Sequence, residues 1–123
     1  MRRVFYVMLL VLVGLAPAFL APPAAAAEMT WTMSSGKPYQ INMKFWAKDG
    51  DRVWPGNNDV YVLPRHATRT YTLTCRAGST VCYGAWPDDG PAKHWGVGRS
   101  INNACTACCF VCGQSNPSRN LVD

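Results

Sequence analysis

A chain of 123 residues has room for one domain, and its 49% apolar and 15% charged residues exclude a disordered polymer, a coiled coil and a multidomain enzyme. Twelve Lys and Arg against seven Asp and Glu give a net charge of +5, but the cations are scattered. They form no dense basic stripe of the kind that grips nucleic acid.

Met1-Arg2-Arg3 is a basic start, followed by an uninterrupted apolar run from Val4 to Val13. A small-residue stretch then ends in Ala25-Ala26-Ala27 before Glu28, the A-x-A form of a signal peptidase site. A membrane-spanning helix needs ~20 apolar residues, and Pro17, Pro22 and Pro23 break this run first. The segment 1–27 therefore reads as a cleaved secretory leader, with cleavage after Ala26 fitting almost as well. No cysteine lies near the site to carry a lipid anchor. Without Arg2 and Arg3 the net charge of residues 28–123 falls to +3.

In the remaining domain, 28–123, alternation of period two replaces any helical periodicity. A strand is expected near Met29–Met33. From Tyr39 to Ala47 the odd positions are Tyr39, Ile41, Met43, Phe45 and Ala47, and the even ones Gln40, Asn42 and Lys44, with Trp46 the exception. That pattern predicts a half-buried strand with one wetted face. Gly50, Pro55-Gly56 and Asn57-Asn58 supply turns, and Asp59–Leu63 is a second strand, stopped by Pro64.

Thr70–Cys75 alternates again, and Thr80–Trp86 is expected to return beside it through a Gly78-Ser79 turn of type II′. This hairpin places Cys75 opposite Cys82, and Trp86 opposite Tyr71 over the space left by Gly84. A last short strand is expected over Lys93–Val97. Short strands punctuated by Gly and Pro predict an all-β or mostly β fold: a small antiparallel β-sandwich or barrel over 28–100, with a disulfide-pinned irregular C-terminal tail at 101–123.

Cys75, Cys82, Cys105, Cys108, Cys109 and Cys112 make an even number, as a disulfide framework in an exported chain requires. Six cysteines allow 15 pairings, and spacing does not choose among them. The run Cys105–Cys112, C-x-x-C-C-x-x-C, has three readings: bridges pinning the tail, four thiolates around zinc, or a redox dithiol. The two C-x-x-C pairs abut, which leaves little chain to wrap a tetrahedral metal. No helix follows to lower a thiol pKa. Disulfide bridging of all six is the expectation.

Catalytic signatures are missing. His66 and His94 sit in no metal-ligand spacing, and no serine lies in G-x-S-x-G. Asp49-Gly50-Asp51 and Asp88-Asp89-Gly90 lack the liganding Glu of an EF-hand, and Gly96-Val97-Gly98 lacks the partners of a phosphate loop. No catalytic residue, metal or cofactor is expected.

The aromatic side chains are what points toward binding. Large rings fill the thin cores of small β-domains, and most are expected there. Trp46, which breaks its strand's alternation, Trp54, in a turn, and Trp95 are the candidate exposed ligand-binding rings.

The strings Trp54-Pro55-Gly56, Cys75-x-x-Gly78, Val81-Cys82-Tyr83-Gly84-Ala85-Trp86, Trp95-Gly96-Val97-Gly98 and the closing C-x-x-C-C-x-x-C run from residue 54 to residue 112, within a likeness that covers roughly residues 39–113. Through them the chain resembles a group of small exported bacterial cysteine-rich proteins. The resemblance implies a single exported domain and brings no site residue or ligand with it.

The expected function is a non-enzymatic binding module for a glycan or envelope component. Alternatives are a secreted effector or toxin-like factor, and a thiol-based metal or redox protein using Cys105–Cys112. A small hydrolase ranks last. The protein is expected to be monomeric, secreted or periplasmic, without a nucleic-acid partner and without a transmembrane segment once the leader is removed.

Overall fold

The structure is a computed structural model that describes residues 14, 26–49, 52–89, 92–101 and 103–122. The leader reading falls outside them apart from Gly14, Ala26 and Ala27. Among the described residues every regular element is a strand. In order these are β1 (Ala26–Ser35), β2 (Ile41–Ala47), β3 (Val53–Trp54), β4 (Tyr61–Leu63), β5 (Thr68–Arg76), β6 (Thr80–Pro87), β7 (Trp95–Gly96), β8 (Cys109–Val111) and β9 (Ser118–Leu121).

They form two sheets. The smaller has the order β5-β1-β9, with β5 antiparallel and β9 parallel to β1. The larger runs β3-β2-β6-β7, with β4 also on β2 and β8 also on β6. Its pairings are all antiparallel. The sheets face one another as an open sandwich, and no barrel closes among the described residues.

Strand alternation builds the core. Met29, Trp31 and Met33 turn inward from β1, while Thr30, Thr32 and Ser34 turn out. Leu73 and Cys75 do the same on β5, and Ile41, Met43 and Phe45 on β2. Trp31 is fully buried at the centre, with its ring centroid 5.0 Å from Phe45, 5.7 Å from Tyr83 and 5.5 Å from Phe110. Such tilted and edge-on contacts suit the ring quadrupole. They also bridge the sheets, since Trp31 lies on the small one and its three neighbours on the large one.

Two expectations about pairing need correction. The hairpin of Thr70–Cys75 with Thr80–Trp86 does not form, although both segments are strands. β5 pairs with β1, and β6 pairs with β2, β7 and β8, so the chain changes sheets at Ala77–Ser79. Tyr71 therefore faces Trp31 in the register and meets the Tyr61 ring at 4.8 Å, while Trp86 faces Asn42. The cause is burial. Every residue of β6 from Val81 to Pro87 is buried, so both its faces need cover. β5 presents a row of wetted threonines instead, and takes an edge.

The second correction concerns the tail. It is not irregular throughout: β8 joins the large sheet and β9 the small one. Gly78 N–H donates to the Cys112 carbonyl (3.0 Å) and Cys112 N–H to the Ser79 carbonyl (2.8 Å). The turn that was expected to close a hairpin is thus bonded to the tail.

Candidate functional site

The outer face of the large sheet carries the site. On β2 this face holds Asn42, Lys44 and Trp46, and the register sets them opposite Trp86, Gly84 and Cys82 of β6. Gly84 leaves a gap between two indoles, and the segment after β7 lies in it. Val97 N–H donates to the Tyr83 carbonyl at 2.9 Å, and Tyr83 N–H to the Cys108 carbonyl at 3.0 Å. A Cβ on Gly84 would collide with the Gly98 carbonyl and sit 2.6 Å from the Trp46 ring. Gly96 and Gly98 have φ of 63° and 76°, a region that costs a side chain strain but a glycine nothing. The strings C-Y-G-A-W and W-G-V-G are thus one structural unit, with Gly84 paired to Gly96.

Beyond this crossing, Arg99 lays its guanidinium 5.3 Å from the centroid of Trp86. Two clefts meet at Arg99 and Ser100. One, of about 460 Å³, is lined by Trp86, Asp88, Asp89 and His94 among others. The second, of about 450 Å³, is lined by Lys44, Trp46, Asn57 and Asn58. Asn57 and Asn58 both have positive φ, 53° and 61°, which asparagine tolerates in a turn. Asn42 Nδ2 donates to Asp88 Oδ1 at 2.9 Å and holds that carboxylate at the rim. The groove so formed combines indole edges with planar amide, carboxylate and guanidinium groups.

The three tryptophans singled out from sequence do not share one surface. Trp46 is 8% exposed and Trp54 6%, so neither is a free ring, and the expectation that they stand exposed is corrected. Trp46 packs beside Gly84 and offers the groove an edge. Trp54 ties the two sheets together: from β3 its Nε1 donates to the Thr74 carbonyl of β5 at 3.1 Å, with Arg52 stacked 5.1 Å away. Trp95 is half-buried and donates to the Val122 carbonyl at 2.8 Å. Trp86 and Arg99, the pair that divides the groove, escaped the sequence reading. Trp86 stands in the predicted hairpin that does not form, and Arg99 lies in no local pattern.

All six cysteines are bridged: Cys75–Cys112, Cys82–Cys109 and Cys105–Cys108. Three disulfides mark an oxidising environment. In this form no sulfur is a thiolate available to a metal. Among the described residues, no helix is long and apolar enough to cross a membrane.

Compared with protein families, characterised proteins and solved structures, the chain matches none.

Proposed function

We propose that the protein is an exported binding module that holds a glycan-type ligand of the cell envelope in the groove over Trp46 and Trp86. One observation carries the reading. Two clefts of about 460 and 450 Å³ share Arg99 and Ser100 in their linings, so the sugar rings of one chain have a bed on either side of Arg99. The edges of the two indoles give the groove apolar surface for a sugar ring, and Asn57, Asn58 and Asp89 bring amide and carboxylate groups for its hydroxyls. The three bridges and the basic, apolar leader support export to the periplasm or beyond. The resemblance to exported cysteine-rich proteins agrees with that destination.

The test is calorimetric titration of the exported protein with soluble neutral, amino-bearing and acidic glycans, followed by tryptophan emission. Trp86 emission should change on binding, and Arg99→Ala should weaken the best ligand by about ten-fold, roughly 1.4 kcal/mol. Asp89→Asn should change the preference among the three classes. Arg99 and Asp89 are exposed, so both variants should keep the fold. No binding to any class at millimolar concentration would overturn the reading.

A further inference from the structure

The C-x-x-C-C-x-x-C string is symmetric in sequence, and the fold breaks the symmetry. Its second half is split, Cys109 crossing to Cys82 and Cys112 to Cys75, over separations of 27 and 37 residues. Its first half closes on itself, Cys105 to Cys108, at a separation of 3. We infer that Cys105–Cys108 is an exchangeable disulfide, a redox site open to external thiols, while the other two bridges are permanent staples.

Loop size is the first support. A bridge stabilises a fold by restricting the unfolded chain, and the effect grows with the loop it closes. The four-residue ring contributes least, so opening it threatens the fold least. Topology is the second. With Cys105–Cys108 open, β8 stays tied through Cys82–Cys109 and Cys75–Cys112, and through its ladder to β6. The ring's own backbone is held without sulfur: Tyr83 N–H donates to the Cys108 carbonyl at 3.0 Å, and Arg119 Nη2 to the Ala107 carbonyl at 2.7 Å. The two thiols would therefore stay close enough to close again.

Access is the third support. Cys75, Cys82, Cys108 and Cys112 are 1–2% exposed, whereas Cys105 and Cys109 are half-buried, and of these two only Cys105 is flanked by exposed residues, Ala104 and Thr106. Cys105 Sγ is the sulfur an incoming thiolate reaches, and Cys108 Sγ is the leaving group. The Arg119 guanidinium at this ring favours the thiolate that departs.

The exchange balances as follows. A reductant thiolate attacks Cys105 Sγ, forms a mixed disulfide and expels Cys108 as a thiolate, which takes a proton from water. A second reductant thiol, deprotonated, attacks the reductant sulfur of that mixed disulfide and releases Cys105, which is protonated in turn. Two electrons and two protons enter the pair, and two reductant thiols leave as one disulfide. The reverse passes electrons to an external disulfide.

The natively exported, oxidised protein would be equilibrated with graded glutathione buffers in one arm and with a thioredoxin-type protein dithiol in another. Free thiols are then alkylated and located by peptide mass, with tryptophan emission reporting the fold. Cys105 and Cys108 should be labelled at reductant concentrations about ten-fold or more below those that open the other bridges, with emission unchanged. Selective opening in one arm only identifies the source of the thiol. Arg119→Gln should slow opening several-fold, with Arg119→Lys restoring it, and an unchanged rate removes Arg119 from the site. The inference is overturned if all six cysteines become labelled together, if either long-range bridge opens first, or if neither reductant opens the ring before the fold is lost.

Discussion

A hydrogen in place of a methyl group at position 84 decides whether the large sheet's outer face can be covered. Gly84 admits the Gly98 carbonyl on one side and the Trp46 ring on the other, with no space for a Cβ. Both neighbours are fixed, the ring by its strand and the carbonyl by a left-handed glycine. Gly84→Ala should cost about 3 kcal/mol, the upper range for overpacking. It should also lift residues 97–99 and so remove Arg99 from Trp86. Urea denaturation would show the lost stability as a lower midpoint with unchanged slope, and the same variant should fail to bind glycan. Single residues also mark where sequence reading stops. Trp46 broke the alternation of its strand and so looked exposed. It is covered because Gly84, two residues from Trp86 and far along the chain, makes room for a second layer.

Among the elements, those with one wet face were legible and those without were not. Tyr39–Ala47 and Thr70–Cys75 alternate because each shows one face to water, and both lie where the pattern put them. Partner choice left no such trace. Thr80–Trp86 follows a plausible turn, yet its near-continuous apolar run belongs to a strand buried on both faces. β8 and β9 have three and four residues, too short to show a period. β9 nonetheless matters. It places fully buried Leu121 in the core, and the adjoining Val122 carbonyl accepts from the Trp95 indole. Deleting residues 118–123 therefore removes one edge of the small sheet together with a buried leucine. Loss of such a leucine side chain alone costs about 2–5 kcal/mol, against a total of ~5–15 kcal/mol for a typical domain. The truncated chain should show no cooperative thermal transition by calorimetry, whereas the full domain should show one.

For the molecule as a whole, the shared core sets the response to alkali. Burial pushes the phenols of Tyr61, Tyr71 and Tyr83 up from the ordinary value of 10.0. Arg69 opposes the shift at Tyr71 and Arg119 at Tyr83, without reversing it. Tyr71 is further engaged as a donor to the Val62 carbonyl at 2.8 Å, a bond its ionised form cannot make. The folded state thus holds these protons more tightly than the unfolded chain. The stability these three phenols contribute is complete below pH 10 and is lost as pH rises through their folded values. In an alkaline titration, phenolate absorbance should lag behind that of free tyrosine and then rise together with the loss of the native tryptophan emission. Full ionisation with that emission intact would contradict it. The fold class was legible at this scale and the groove was not. Its walls come from β2, β6, the turn at Asn57 and Asn58, the loop that carries Asp88, Asp89 and His94, and Arg99 and Ser100, and only the glycines of C-Y-G-A-W and W-G-V-G hint that β6 and the segment after β7 touch.

The parallel pairing of β9 with β1 has a consequence for timing. Strand β1 is made early, yet it is the middle strand of its sheet and needs neighbours from residues 68–76 and 118–121. At synthesis rates of ~5–20 residues per second, the interval between Ala26 and Leu121 is roughly 5–20 s. Throughout it, Met29, Trp31 and Met33 have no finished sheet to enter. A nascent chain of this protein cannot complete this sheet behind the ribosome before residues 118–121 are made. Strand β1 has to wait, with its apolar side chains uncovered, for residues 118–121.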